Sequence, residues 1–128
     1  MTGGKIIRRK AGQAIEFRKD MFSGSGEVTV KHYFKKDEIN APCRYCAQLV
    51  LAPGSRIGLH GHNDEDEIII IHEGRALVND NGREAELEAG DSMITRDGSM
   101  HSIKNISTSD LVITSIIIQY KHQLEVVI

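Results

Sequence analysis

Three residues in one short stretch have the types and the spacing of metal ligands. His60 and His62 lie two residues apart, and Glu67 follows five residues after His62. Because side chains on a β-strand alternate between its two faces, both histidines would point the same way from a strand. A polar loop over residues 63–66 would turn the chain, so that Glu67 at the head of the next strand faces both imidazoles. Neutral imidazoles and a carboxylate are a usual ligand set for a divalent transition metal.

A fourth candidate ligand, His101, lies further along the chain, after a short strand and a turn at Gly98. Glu65 is a competing carboxylate in the polar loop. We interpret it as either solvent-exposed or hydrogen-bonded to a metal ligand, rather than as a ligand itself. The remaining histidines, His32, His72 and His122, fit no ligand spacing, and strand parity favours a surface or interface position for His72.

These positions give the chain a resemblance to the cupin family. The first cupin motif, G-x5-H-x-H-x4-E-x6-G, matches at Gly54, His60, His62, Glu67 and Gly74. The second motif, G-x5-P-x-G-x2-H-x3-N, matches at Gly90, Gly98, His101 and Asn105. Arg96 stands where the family usually has proline. Proline there would preset a turn and carries no metal chemistry, so the departure is mild.

The resemblance implies a fold and a metal site. The chain is expected to be one cupin domain over residues 1–128, with an N-terminal extension at 1–27 and the barrel at about 28–120. The barrel would be all-β, a double-stranded β-helix of the jelly-roll type. One divalent transition metal (Mn, Fe, Ni, Zn, Co or Cu) would be held by His60, His62, Glu67 and His101. Three imidazoles and one carboxylate leave two positions of an octahedral metal open.

The rest of the chain agrees with an all-β fold. Short apolar segments recur between turn signals, and no segment predicts a helix. The predicted strands cover residues 28–34, 43–51, 57–62, 67–72, 76–78, 83–87, 92–95, 101–106 and 111–120. Residues 1–20 could add a short edge strand, and Asn81-Gly82 predicts a tight hairpin turn. Cys43 and Cys46 lie three apart on a predicted strand and are interpreted as ordinary core cysteines rather than as a redox pair.

Two classes of function fit this pattern. The first is a metal-dependent enzyme of the dioxygenase, decarboxylase, lyase or isomerase type, acting on a small oxygenated or carboxylate-containing molecule that chelates the metal. Proton transfer would then fall to metal-bound water or to Glu65. The second is a cupin that binds or senses a metal or a small ligand without catalysis. Arg44 and Gln48 share one strand face and could bind the substrate if that face lines the pocket; if it faces outward, both are surface residues.

Composition narrows the choice of partners. The net charge is −2, from 16 basic and 18 acidic residues, and it gives no reason to expect nucleic acid or a membrane. No apolar run approaches the ~20 residues of a membrane span, and residues 1–10 lack the apolar segment of a secretory signal, so a cytoplasmic location is expected.

Ile68 and Ile70 would face outward if Glu67 faces inward. An apolar outer face needs a cover, which a second subunit or the N-terminal strand could supply, and we predict a homodimer.

Overall fold

The computed structural model describes residues 6–120, and these form two antiparallel sheets. The ten strands are β1 Ala14–Lys19, β2 Glu27–His32, β3 Cys43–Leu51, β4 Arg56–Gly61, β5 Glu65–Glu73, β6 Arg75–Asp80, β7 Arg83–Glu88, β8 Ser92–Thr95, β9 Met100–Asn105 and β10 Leu111–Gln119. One sheet has the order β1-β2-β3-β10-β5-β8 and the other the order β4-β9-β6-β7. Three short 3-10 turns, at Lys10–Gly12, Met21–Ser23 and Lys36–Glu38, complete the described elements. None of the elements in this range is a helix of the length and apolarity that a membrane span requires.

The alternation of side chains along each strand builds the core of this all-β jelly-roll barrel. On β5, Ile69 and Ile71 are buried, whereas Ile68 and Ile70 lie on the outer face and are half-buried. This is the predicted parity. Buried apolar residues from both sheets form one cluster: Val28, Val30, Ala47, Leu49, Leu51, Ile57, Ile69, Ile71, Ala76, Val78, Ile103, Leu111 and Ile113. Since burying one large apolar side chain contributes about 1.5–3 kcal/mol, the barrel has a stabilising core that contains no metal ligand.

Motif residues that are not candidate ligands hold the connections between strands. Gly74 has a φ of 88°, and a Cβ there would lie 2.9 Å from the carbonyl oxygen of Asp110, so only glycine fits this close approach. The Asn105 amide donates to the carbonyl oxygens of Leu51 at 2.9 Å and of Ser109 at 2.8 Å. These contacts fix the ends of β5 and β9, and so help to position the ligands that those strands carry.

The predicted hairpin between β6 and β7 is confirmed. Asn81 and Gly82 have φ values of 50° and 96°, the positive values that a tight two-residue hairpin turn needs. The Asn79 side chain accepts a hydrogen bond of 2.8 Å from the Gly82 amide. On its other edge, β6 pairs with β9, the strand that carries His101.

The loop between β4 and β5 is shorter than predicted. β5 begins at Glu65 rather than at Glu67, because the turn is completed at Asp64, which has a left-handed φ of 60°. Strand parity then places the side chains of Glu65 and Glu67 on the same inward face. Glu65 is 7% exposed, so the alternative that placed it in solvent is wrong.

The two cysteines are free thiols near the start of β3, and both are only half-buried. The prediction that they belong to the core is wrong, since neither is part of the apolar cluster. Cys46 lies beside Ile116 in the register of β3 and β10, on the outer face of the sheet. Partial burial raises the pKa of the Cys46 thiol.

Candidate metal centre

Four side chains from both sheets converge between them. His60 comes from the end of β4, His62 follows one residue past that strand, and His101 pairs opposite His60 on β9. Glu67 comes from β5 in the other sheet. One ligand atom of each residue lies within 4.8 Å of the corresponding atoms of the other three. His60 is half-buried, and the other three side chains are buried.

The distances between the converging atoms match the ligand set of a single ion. Nε2 of His101 lies 3.1 Å from Nε2 of His60 and 3.3 Å from Nε2 of His62. Oε1 of Glu67 lies 2.8 Å from Nε2 of His62 and 3.0 Å from Nε2 of His101. Two ligand atoms at about 2.1 Å from a metal and at right angles to each other are about 3.0 Å apart. These four distances are therefore close to those expected between ligand atoms of one divalent metal, and all four ligand atoms lie within 4.8 Å of one another.

The second nitrogen of each imidazole has its own hydrogen-bond partner. Nδ1 of His60 lies 2.8 Å from the carbonyl oxygen of Gly58, and Nδ1 of His62 lies 2.5 Å from Oε2 of Glu65. Both partners only accept, so Nδ1 donates in both rings. Nδ1 of His101 lies 2.6 Å from the Thr95 hydroxyl, which can also accept. With the proton on Nδ1, the three Nε2 lone pairs face the common point, where a cation would stabilise them.

The two carboxylate oxygens of Glu67 have different surroundings. Oε2 accepts a hydrogen bond of 2.6 Å from Ser115, whereas Oε1 is buried and accepts no hydrogen bond of normal geometry from residues 6–120. Burial would raise the pKa of Glu67, but His101, His62 and the Ser115 hydroxyl outweigh it and hold this pKa well below its usual range. In the tautomers with the proton on Nδ1, neither ring donates to Oε1, and a metal ion would satisfy this buried, ionised oxygen.

Glu65 connects a ligand of the centre to an arginine. Arg44 donates from Nε and Nη2 to the two oxygens of Glu65, each at 2.7 Å, and Glu65 in turn accepts from His62. The hydrogen bonds from Arg44 lower the pKa of Glu65 against the effect of burial, with a further contribution from His62. The sequence left two alternatives for Glu65, solvent exposure or a hydrogen bond to a metal ligand. The structure shows the second, with His62 as the candidate ligand.

A cavity of about 270 Å³ opens beside the four ligands. Its apolar wall consists of Met21, Phe22, Leu49, Ile57, Ile69, Ile103, Ile113 and Ile117. Its other lining residues, apart from the four ligands, are Arg18, Arg44, Tyr45 and Ser115. Arg18 and Arg44 each bring a positive charge to the cavity wall, and each is ion-paired with a carboxylate, Glu16 and Glu65 respectively.

The structure separates the two residues that the sequence offered for a substrate pocket. Arg44 lines the cavity, because β3 and β10 have an irregular register between Tyr45 and Cys43 that turns Arg44 toward Glu65. Gln48 lies past this irregularity and faces the outer side of the sheet, where its amide donates to the Tyr33 hydroxyl at 3.3 Å. The expectation that Gln48 reaches the pocket is therefore corrected. Alternation alone could not separate the two residues, since it assumes a regular strand.

Phe22 covers one of the candidate ligands. Its ring stacks on the imidazole of His60, with centroids 3.9 Å apart and planes 10° apart. Phe22 has a φ of 52°, in a turn where Asp20 and Ser23 also have positive φ. Sequence analysis did not identify Phe22 or the cavity residue Arg18, because both come from the N-terminal segment, which carries no motif.

The other histidines have places outside the centre. His32 is buried and lies 2.6 Å from Glu16 through Nε2, and His72 is exposed on the outer face, with Nε2 at 2.6 Å from the Thr114 hydroxyl. His72 therefore has the surface position that its parity predicted. His122 lies outside the described residues.

Comparisons with known proteins agree with this architecture. A family model described as the cupin domain matches residues 47–117. The chain is 38% identical over 116 residues to a protein of Thermotoga maritima named oxalate-binding protein, and the match covers 91% of this chain and 96% of that protein.

Solved structures are similar over most of the chain. A crystal structure described as a predicted oxalate decarboxylase of Thermotoga maritima is 35% identical with a TM-score of 0.85, and the match covers 89% of this chain and 99% of that one. A cupin 2 conserved barrel domain protein from Salinispora arenicola is 23% identical with a TM-score of 0.68, over 92% of this chain and 91% of that one. The second similarity concerns the fold alone.

Proposed function

This chain belongs to the cupin family, and we propose that it binds a small dicarboxylate of the oxalate type at a divalent transition metal held by His60, His62, Glu67 and His101. The observation that carries this proposal is the convergence of three imidazole Nε2 atoms and one buried carboxylate oxygen. The name of the Thermotoga maritima oxalate-binding protein, which matches nearly the whole chain, supports the ligand class. The ligand set suits Mn, Fe, Ni, Zn, Co or Cu.

The residues around the centre would share the work of binding. A metal in this site supplies positive charge and open positions for the oxygen atoms of the ligand. Glu65 holds the His62 ring, and Ser115 holds the second oxygen of Glu67. Arg44 orients Glu65 and adds positive charge at the cavity wall. A cavity of about 270 Å³ suits a ligand of a few heavy atoms.

The state of Glu65 argues against this residue as a proton donor. Decarboxylation needs a proton donor, and Glu65 was the side chain that the sequence offered for proton transfer. It accepts three hydrogen bonds, and its pKa is lowered by Arg44, so it is ionised at neutral pH. An ionised carboxylate held in this way orients its neighbours rather than donating a proton. The enzyme alternative would then depend on metal-bound water for proton transfer, whereas binding needs no proton donor and is the function that we propose first.

Protons would compete with the metal for the imidazoles. In the metal-free protein, contact with Glu67, followed by Glu65, raises the pKa of His62 against burial, whereas burial lowers the pKa of His60. The raised pKa of His62 contributes stability that is present below the unfolded value of about 6.5 and is lost as pH rises through the folded pKa. Metal binding holds the rings neutral and reverses this dependence. Metal-linked stability should therefore be present above about pH 6.5 and lost as pH falls.

The predicted homodimer would use the outer face of the six-stranded sheet. Ile116, Ile68 and Ile94 are neighbours in register on β10, β5 and β8 and form an apolar row on that face. Ile94 is 48% exposed. A second copy of the chain would cover this row, and its symmetry would place the same row opposite itself.

Metal analysis combined with calorimetry tests the proposed function. Wild type purified without chelators should contain about one metal per chain and bind oxalate, and chelator treatment should abolish both. His62→Ala should lose both, whereas the control His72→Ala, which removes an exposed histidine, should keep both. Full metal content in His62→Ala, or equal oxalate binding with and without metal, would contradict the proposal. Release of CO2 or consumption of O2 with oxalate would instead support the enzyme.

A further inference from the structure

A hydroxyl group without a partner lies in the wall of the cavity. The hydroxyl oxygen of Tyr45 is buried and has no hydrogen-bond partner within residues 6–120, and Tyr45 lines the cavity beside the candidate ligands. Buried polar groups are almost always hydrogen-bonded, and an unpaired one needs an explanation. A ligand that enters the cavity would provide the missing acceptor.

The strand register places Tyr45 and Glu67 on the same inward face of the six-stranded sheet, two strands apart. Ile117 on β10 pairs with Tyr45 on one side and with Glu67 on the other, so the three residues form one row on the inward face. Two inter-strand spacings separate Tyr45 from Glu67, which is about 10 Å between their backbones. All three residues line the cavity, with Ile117 between Tyr45 and Glu67.

The tyrosine ring is held by its surroundings and not by its hydroxyl. It packs against the apolar core and contacts His32 edge to face, with centroids 5.6 Å apart. His32 is fixed in turn by Glu16, at 2.6 Å. The ring that lines the cavity therefore keeps its position without a bond from the hydroxyl.

Two guanidinium groups share the cavity wall with Tyr45. Arg18 and Arg44 line the same cavity. Glu16 accepts hydrogen bonds from Nε and Nη2 of Arg18, and Glu65 accepts hydrogen bonds from Nε and Nη2 of Arg44. In each arginine, Nη1 donates no hydrogen bond to that carboxylate. Burial raises the pKa of Tyr45 to about 12, so the hydroxyl keeps its proton at neutral pH and can donate it.

We propose that the Tyr45 hydroxyl donates a hydrogen bond to a carboxylate oxygen of the bound ligand, on the side of the ligand that faces away from the metal. The inference rests on the proposed function and adds to it a ligand-binding residue that is not part of the metal centre. Oxalate that chelates a metal uses one oxygen of each carboxylate and leaves the other two pointing outward. One of these would be the acceptor that Tyr45 lacks.

Tyr45→Phe tests the inference, since it removes the hydroxyl alone. The metal-loaded variant should contain as much metal as wild type and bind oxalate at least about tenfold more weakly in calorimetry, the usual effect of losing a hydrogen bond to a charged group. Tyr33→Phe is the matched control. The Tyr33 hydroxyl bonds Gln48 and Thr114 on the outer face, so this variant should bind oxalate like wild type.

The melting temperature of the metal-free variant supplies a second measurement. Tyr45→Phe should melt no lower than wild type, because the hydroxyl that it loses has no partner. Equal oxalate affinity in Tyr45→Phe and wild type, or a melting temperature several degrees lower, would overturn the inference and leave the proposed function standing. If metal-loaded wild type binds no oxalate, the proposed function itself fails.

Discussion

Replacing Glu65 by glutamine should weaken metal binding without removing a ligand. Nδ1 of His62 lies 2.5 Å from the Glu65 carboxylate, which also accepts two bonds of 2.7 Å from Arg44. Glutamine keeps the shape but has only one acceptor oxygen, so it cannot receive both the arginine and the imidazole as the carboxylate does. Loss of a group that orients a metal ligand typically costs 10–100-fold in metal affinity, or about 1.4–2.8 kcal/mol. The Arg44 side chain is 38% exposed, so loss of its ion pair should change the free energy of unfolding by only about 1 kcal/mol or less.

Competition with a chromophoric chelator measures this effect. Glu65→Gln should release the metal at a 10–100-fold lower chelator concentration than wild type. Glu84→Gln, which makes the same change in charge at an exposed position on β7, should match wild type. An affinity of Glu65→Gln within twofold of wild type would refute the role of Glu65 in orienting His62. Complete loss of metal, as expected for His62→Ala, would instead indicate that Glu65 is itself a ligand.

Three further predictions concern stability, access and assembly. The melting temperatures of metal-loaded and chelator-treated protein should differ by several degrees at pH 7.5. This difference should become smaller toward pH 5, because protonation of His62 competes with metal binding. A difference that becomes larger at low pH would contradict the prediction. Phe22→Gly removes the ring stacked on His60 and relieves a positive φ. Metal should therefore exchange faster with a chelator, at an unchanged or higher melting temperature. An unchanged exchange rate would show that the ring does not cover the site. Wild type should sediment as a dimer at micromolar concentration, and Ile68→Lys should shift it to a monomer; a monomeric wild type would contradict the dimer.

The strands could be predicted because each depends on local spacing, and the four converging ligands because the chain resembles the two cupin motifs. The parity of β5 follows from alternation, and it correctly placed Ile68 and Ile70 outside and Ile69 inside. The hairpin at Asn81-Gly82 follows from the backbone conformations that those two residues tolerate.

The surroundings of the centre could not be predicted in the same way, because they depend on irregular backbone and on contacts between distant segments. The position of Glu65 required the exact length of the turn before β5. Gln48 and Arg44 are separated by a register irregularity that no alternation pattern contains. Phe22 reaches His60 from 38 positions earlier in the chain, through a turn with positive φ at non-glycine residues.

The most direct test of the metal centre is a crystal structure of the metal-loaded protein with anomalous scattering measured at the metal edge. One anomalous peak per chain is expected at about 2.0–2.2 Å from Nε2 of His60, His62 and His101 and from Oε1 of Glu67. Crystals soaked with oxalate should show the added density next to this peak, on the side of Tyr45. A peak coordinated by Glu65 in place of Glu67, or no peak among these four side chains in protein that contains metal, would contradict the account.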